Sequence, residues 1–305
     1  MEMEKGVQRW VVDISNWNPS PDYFSFVMSF LPHHEHSSIT RFVKMVDRKR
    51  ALISRLLQYA LVHKVLGIPF HEIIIKRTVE GKPYLEYDDQ TCGFPNFNFN
   101  TSHDGDYVGI ASEPVCLVGI DIATHSSPMK DSVEDFIQNF AIYFSNLEWS
   151  DIVKSDSSTK KLNVFYRYWC LKESFAKALG TGVGNRMDNV EFHHSSWEDL
   201  YVVVDGKELK DWRFWLLEVE KDHLISIARG NPAAATTSYR KTLKQTDFGE
   251  KEYSLALNHP NVPLMFRHVE DLLPFPTVSP GINMDVSTEL KTTEDEKLVE
   301  RQLPK

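Results

Sequence analysis

Two short stretches constrain this chain more than any others: Val118-Gly119-Ile120-Asp121-Ile122 and Trp169-Cys170-Leu171-Lys172-Glu173-Ser174-Phe175-Ala176-Lys177. In the first, Val118, Ile120 and Ile122 alternate with Gly119 and Asp121, the period of a strand with one face in the core and an acid on the other. In the second, Trp169, Glu173 and Lys177 recur every four residues and so share one helix face, while Phe165, Tyr168, Leu171 and Phe175 supply the packing. If strand and helix are neighbours, Asp121 and Glu173 converge on one Mg²⁺, because hard divalent ions take carboxylate oxygens and keep waters for a phosphate substrate. Lys177 then stands beside that phosphate. Lys172, about 100° round the helix, ranks below it.

The length of 305 residues leaves room for one large or two modest domains, and 42% hydrophobic with 25% charged residues is ordinary for a globular protein. A formal net charge of −9 argues against a general nucleic-acid binder. Cys92, Cys116 and Cys170 show no C-x-x-C spacing and cannot all pair, which suits plain thiols in a reducing compartment. No run approaches the roughly 18 apolar residues of a membrane span. The start, Met1 to Lys5, carries neither a secretory core nor an Arg-rich transit pattern. A cytoplasmic, monomeric protein without a nucleic-acid or membrane partner is expected, with a mitochondrial location as the alternative should a longer isoform add a presequence.

Along the chain, Trp10 to Ile14 reads as a strand, and a helix runs from about Asp22 to Phe30, ended by Pro32. Between Arg41 and Arg55 lie Arg41, Lys44, Arg48, Lys49, Arg50 and Arg55 against a single acid, Asp47. Ile53, Leu56, Leu57, Ala60 and Leu61 follow helical spacing, so this is a basic amphipathic helix closed by Gly67. It is either a solvated face or a docking surface for an acidic partner. Glu72 to Leu85 reads as a hairpin turning near Glu80-Gly81, flanked by Arg77 and Lys82. Asn96-Phe97-Asn98-Phe99-Asn100-Thr101-Ser102-His103 alternates amide and aromatic residues, so one face is apolar and the other can hydrogen-bond. A lone histidine without Cys or His partners at ligand spacing gives no zinc site. Ser132 and the Ser145/Glu148 capping box start two helices, Lys154 to Lys161 reads as a polar linker, and Gly180 ends the helix that carries Glu173. The glycines through Gly184 follow a helix and are not a nucleotide loop. Val190 to Phe192, Tyr201 to Val204, Trp212 to Leu216 and His223 to Ala228 read as antiparallel strands. Beyond Arg229 the periodicities fade: Asn231 to Thr237 reads as a linker, the apolar island of Pro263 to Phe266 with Leu272 to Phe275 as a piece that docks back, and Ser287 to Lys305 as disordered.

The pair G-I-D-I and W-x-L-K-E-S-F-x-K, with R-T-x-x-G-K-P at Arg77 to Pro83 and N-F-N-x-S-H ending at Ser102-His103, resembles the 4′-phosphopantetheinyl transferases of the eukaryotic broad-range type, related to the bacterial surfactin-type enzymes. The likeness spans Trp10 to Arg229. It implies an α+β fold of two similar α/β halves, mainly antiparallel, with the coenzyme A site between them: an N-terminal half at 8–117, a C-terminal half at 118–229 and a partly disordered extension at 230–305. It further implies transfer of 4′-phosphopantetheine from coenzyme A to a serine of an acyl or peptidyl carrier protein. Asp121 and Glu173 would hold Mg²⁺, Glu173 would also take the serine proton, and Lys177 would stabilise charge on the leaving phosphate. Arg77, Thr78, Val79, Glu80, Gly81 and Lys82 would meet the 3′-phosphate end of coenzyme A, Asn100, Thr101, Ser102 and His103 would also contact coenzyme A, with His103 on a phosphate, and Arg41 is nearest in position to a further phosphate-binding arginine. Asp121, Glu173 and Lys177 would touch coenzyme A as well. The basic segment Arg41 to Arg55 becomes a candidate dock for an acidic acyl carrier protein. The bacterial pattern G-I-D-I-E has Ala123 in place of its glutamate here, and Asp104 is either a third metal ligand in compensation or a plain turn aspartate. The alternatives are a non-catalytic carrier-binding adaptor and another coenzyme-A-dependent transferase.

Overall fold

The computed structural model describes residues 2–86, 93–126, 132–182 and 187–274. Cys92, Val183, Gly184, Phe275 and the charged tail 287–305 lie outside them. In chain order the elements are α1 (Glu2–Gly6), β1 (Gln8–Asp13), α2 (Pro21–Ser29), α3 (His33–Thr40), α4 (Met45–Leu66), β2 (Ile74–Arg77), β3 (Pro83–Glu86), β4 (Asn98–Asp104), β5 (Tyr107–Glu113), β6 (Leu117–Thr124), α5 (Val133–Gln138), α6 (Asn146–Val153), α7 (Ser158–Leu179), β7 (Val190–Ser195), β8 (Glu198–Val204), β9 (Lys207–Glu208), β10 (Trp212–Val219), β11 (His223–Gly230), α8 (Thr237–Arg240), α9 (Glu250–Leu257) and β12 (Met265–Arg267).

The α+β expectation holds. One sheet runs β12-β1-β5-β4 and another β10-β11-β6, with a β2-β3 hairpin and a small β7-β8-β9 sheet beside them. All pairings are antiparallel except β1 with β12. Each main sheet carries one 22-residue helix, α4 in the first half and α7 in the second. Both helices end on a glycine in the left-handed conformation, Gly67 at φ 75° and Gly180 at φ 78°, which a residue with a Cβ adopts only under strain.

The halves meet where β4 faces β6. The amides on the outer edge of β6 have no strand partner, and leaving them buried and bare would be costly. Every second side chain of β4 supplies the acceptor instead. Asn98 Oδ1 takes the Val118 amide at 3.1 Å, Asn100 Oδ1 the Ile120 amide at 3.1 Å, Ser102 Oγ the Ile122 amide at 3.2 Å and Asp104 Oδ2 the Thr124 amide at 2.8 Å. The polar alternation in Asn98 to Asp104 is therefore a ladder in side-chain form. Phe97 and Phe99, at the alternate positions, pack into the first-half core with Leu56, Leu57 and Ile110. On the joint itself Val118, Ile120 and Ile122 of β6 bury against Val11, Tyr107 and Ile225.

A buried ion cluster ties in the C-terminal segment. Glu113 of β5 pairs with Arg9 of β1 and with Arg229 of β11, and all three are at most 1% exposed. Arg9 also bonds to Asn261 Oδ1, and Arg229 donates to the carbonyls of Leu257 and His259. Burial, and then the second guanidinium, depress the Arg9 pKa, so the single carboxylate of Glu113 is what makes two buried cations tolerable.

Three expectations are corrected. Asn231 to Thr237 is no free linker: Pro232–Ala234 forms a 3₁₀ turn, α8 follows, and Tyr239 is fully buried. The apolar island does dock back, with β12 pairing β1 and Leu272 in the first-half core. Its few apolar residues carry no periodicity because each packs against a neighbour distant in sequence. The basic segment is not one helix: Arg41 caps the additional helix α3, α4 begins at Met45, and Lys49 is buried. Lys154 to Lys161 is only partly linker, since α7 begins at Ser158.

Asn100→Ala is expected to cost about 1–3 kcal/mol by orphaning the Ile120 amide, whereas Thr101→Ala, one position along on the opposite face, costs less than about 1 kcal/mol. Urea unfolding midpoints of the two variants test this, and equal losses would mean that the ladder does not carry the joint.

Candidate active site

The site forms because α7 lies unusually close to β6. A Cβ on Gly119 would sit 1.9 Å from the Ser174 carbonyl oxygen and 2.6 Å from the Ala178 amide, so only glycine fits there. Ser174 Oγ meets Ser226 Oγ of β11 at 2.8 Å on the same small-residue seam. With the helix this near, the short Asp121 side chain reaches it. Lys177 Nζ donates to Asp121 Oδ1 at 2.5 Å and to Ser102 Oγ at 2.9 Å, and Ser102 Oγ donates to Asp121 Oδ1 at 3.0 Å. One turn back on α7, Glu173 is 6% exposed, as is Asp121. Burial and then the Asp121 charge raise the Glu173 pKa, with Lys177 opposing. The expected neighbours Asp121, Glu173 and Lys177 are thus brought together.

Two close, buried carboxylates repel each other unless a cation lies between them. Lys177 is bonded to Asp121, and Glu173 has no hydrogen-bond or ion-pair partner among the described residues. That leaves an anionic oxygen pair of the kind a hard divalent ion takes, so the donor set fits Mg²⁺. Among the described residues no group of three or more His, Cys, Asp or Glu is arranged around a metal position. Asp104, the candidate third ligand, forms the last rung of the β4–β6 ladder. Ala123, on the Asp121 face, packs with Cys170 and Leu224. The structure therefore assembles two carboxylates and not three.

Lys172 faces away from this centre. It is fully buried, paired with Glu148 at 2.8 Å, and donates to the carbonyls of Met187 and Val190. Glu148 is the capping-box residue of α6 and also accepts the Phe192 amide at 2.9 Å. Lys172 is thus held as a structural ion, turned away from the face that carries Lys177.

The coenzyme A candidates divide into two sets. Arg77 is exposed at the end of β2, and its Nη1 donates to Gly81 O at 2.8 Å. Surrounding protein and the charges of Arg55 and Arg41 depress its pKa to about 10 even though Glu35 opposes them. A guanidinium unsettled by two others is a place where a phosphate gains. Glu35 partly offsets the cluster through a 2.8 Å pair with Arg55. His103 is exposed on the β4 face that points away from the ladder, and partial desolvation, then Lys177 and Arg50, lower its pKa. Thr101 shares that face, 3.5 Å from Ser54. Asn100 and Ser102 face the joint, and their side chains serve the ladder. In the hairpin turn, the Thr78 and Gly81 amides bond to Lys82 O and Thr78 O, Val79 is 91% exposed, and the exposed Glu80 accepts from Ser238. Lys82 is 5% exposed and turned inward, its Nζ donating to Val118 O at 2.9 Å and Lys177 O at 2.5 Å. Its charge belongs to the joint, leaving Arg77 as the outward cation of this turn.

The side-chain ladder and the Lys82 bridge were missed in the sequence. The alternation of Asn98, Asn100, Ser102 and Asp104 was the available signal for the ladder. A cavity of about 370 Å³ lined by residues such as Asp151, Tyr168 and His194 contains none of the candidate site residues.

The family description "4′-phosphopantetheinyl transferase, N-terminal" matches residues 15–115, and "4′-phosphopantetheinyl transferase superfamily" matches residues 117–228. The chain is 37% identical to the L-aminoadipate-semialdehyde dehydrogenase-phosphopantetheinyl transferase of Rattus norvegicus over 232 residues, 73% of this chain and 75% of that one. It is 30% identical to a phosphopantetheinyl transferase of Thraustochytrium over 234 residues, 75% of this chain and 80% of that one. The holo-ACP-synthase structure from Plasmodium yoelii aligns with 38% of this chain and 94% of its own, at 16% identity and a TM-score of 0.32.

The raised Glu173 pKa means that its protonated form supports the fold. That contribution is complete below the ordinary value of 4.5 and is lost as pH climbs through the higher folded value. Glu173→Gln is therefore expected to stabilise the metal-free protein at pH 7, the gain fading as pH falls towards 4.5. Mg²⁺ at a hundred times its Kd is expected to stabilise the wild type by about 2.7 kcal/mol and the variant by much less. Thermal unfolding with and without Mg²⁺ reads both effects.

Proposed function

Because this chain belongs to the 4′-phosphopantetheinyl transferase superfamily, we propose that its Asp121–Glu173–Lys177 centre transfers the 4′-phosphopantetheine moiety of coenzyme A to the acceptor serine of an apo acyl or peptidyl carrier protein. The products are holo carrier protein and adenosine 3′,5′-bisphosphate. The observation that carries this reading is the convergence of two buried carboxylates and a lysine on the seam that Gly119 creates.

Attack of an alcohol on phosphorus requires the reactants to be aligned, the diphosphate to be neutralised and one proton to be removed. Asp121 and Glu173 would hold Mg²⁺. That ion, when bound, supplies Lewis-acid polarisation of the diphosphate oxygens. Glu173 accepts the serine proton through its second carboxylate oxygen, the one not engaged by the metal it would hold. Lys177, released from Asp121 Oδ1 when the phosphate arrives, places its ammonium on the charge that develops on the leaving phosphate. Arg77, with Arg41 and Arg55 close by, binds the 3′-phosphate end, and His103 meets a phosphate nearer to Lys177.

Docking of the carrier falls to the start of α4. There Arg41 and Lys44 are exposed beside Val43 at 93%, Met45 at 47% and Val46 at 40%, a basic rim round an apolar patch that suits an acidic helical partner. Arg50 contributes less, since its guanidinium is bonded to Gly105 O and Asp47. The working form in this reading is a monomer in the cytoplasm; the buried free thiols Cys116 and Cys170 suit a reducing compartment and say nothing of the oligomeric state.

Intact mass of an apo acyl carrier protein after incubation with this protein, coenzyme A and Mg²⁺ tests the proposal. A gain of roughly 340 Da that EDTA or Glu173→Gln abolishes is expected, and Arg77→Ala should raise KM for coenzyme A about tenfold or more through loss of a charged phosphate contact. No gain on any carrier, with coenzyme A still bound, would point to a carrier-binding adaptor.

A further inference from the structure

Lys82 is a buried cation with no carboxylate partner among the described residues. Burial, and then the nearby Lys177 charge, push its pKa well down. What holds it is two carbonyl oxygens, Val118 O and Lys177 O, and the ring of Tyr239, whose centroid is 4.6 Å from the ammonium. Val118 opens the stretch that leads to Asp121, and the Lys177 carbonyl lies in the last turn of α7, where the helix dipole favours a cation. Tyr239 is fully buried, and its hydroxyl donates at 3.2 Å to Asn98 Oδ1, the acceptor that also takes the Val118 amide. One aromatic side chain thus backs both the first rung of the ladder and the only charged bridge between the 78–82 turn and α7 seen among the described residues.

Its neighbours grip the same two elements. Ser238 donates to the Glu80 carboxylate in the turn. The Thr236 amide donates to Leu179 O at 2.9 Å and its hydroxyl to Gly180 O at 3.3 Å, at the end of α7. Tyr239 lies over Gly180, whose added Cβ would meet it at 3.0 Å. Residues 236–239 lie beyond the stretch matched as the transferase superfamily, which ends at 228.

We propose that Tyr239, assisted by Ser238, is a positioning residue: it holds Lys82 and thereby clamps the 78–82 turn onto the end of α7, so that coenzyme A binding depends on a segment outside the two transferase halves. The inference rests on the functional reading above, which makes that turn the coenzyme A contact. Desolvated cation–π contacts are strong enough for the ring to matter, and the absence of a carboxylate leaves the ammonium no substitute.

The test is calorimetric titration of coenzyme A into the full-length protein, with steady-state kinetics and thermal unfolding alongside. Tyr239→Leu is expected to weaken coenzyme A about tenfold while kcat at saturating coenzyme A stays within about threefold, and Tyr239→Phe, which keeps the ring, to recover all but about twofold. In a Lys82→Met background the effect of Tyr239→Leu should vanish, because the ring acts through the ammonium. Ser238→Ala, a half-buried contact whose loss the fold tolerates, is expected to weaken coenzyme A about threefold and decides the matter should Tyr239→Leu not fold. An unchanged Kd in the folded variants, or a loss that persists without the Lys82 ammonium, overturns the clamp and leaves the transferase reading standing. A wild type that binds no coenzyme A overturns both.

Discussion

The close approach of α7 to β6 over Gly119 is the constraint on which the rest depends. A helix and a strand normally stand about 10 Å apart because side chains fill the space between them. Here the Ser174 carbonyl occupies the volume that any Cβ at residue 119 would need. The helix can settle that deeply only if β6 is held rigidly from its other side, and the ladder from β4 does this. Ser102 belongs to both systems: it accepts the Ile122 amide as a rung and bonds to Asp121 and Lys177 as part of the site. Stability of the joint and geometry of the centre are thus one construction.

The second theme is how charge is distributed between structure and chemistry. Buried charges held by opposite charges, such as Lys172 with Glu148 and Glu113 with its two arginines, are anchors, and removing one member of such a pair typically costs about 3–5 kcal/mol. Glu173 and Arg77 are different. The first has no partner among the described residues, and burial and then a carboxylate neighbour raise its pKa; the second is lowered by the surrounding protein and then by neighbouring cations. Groups left electrostatically unsatisfied in this way gain most from a ligand of opposite charge. A divalent cation at one place and a phosphate at the other would relieve both.

Much of this was legible in the residues. The alternation in Val118 to Ile122 and the four-residue spacing of Trp169, Glu173 and Lys177 are local patterns, and they placed a carboxylate strand and a carboxylate–lysine helix correctly. The capping box at Ser145 and the glycine stop at Gly180 are local as well, and both were read as they stand. What escaped was long-range. The resemblance alone put Asn100 and Ser102 at coenzyme A; that their side chains also accept the Ile120 and Ile122 amides is a pairing with another strand that no local pattern shows. Lys82 looked like half of a basic turn, and only the fold turns it towards Lys177 O. Tyr239 stands in a segment of alanines and threonines without period, where one buried ring leaves no pattern to find.

The most direct test of the central claim, that the α7–β6 seam presents Asp121 and Glu173 to one divalent ion, is to titrate Mn²⁺ into the protein with coenzyme A present and follow free metal by electron paramagnetic resonance. One bound ion per chain that is lost in both Asp121→Asn and Glu173→Gln is the predicted result, since carboxylate oxygens are the ligands that such an ion selects. Metal binding that survives the loss of either carboxylate would contradict it.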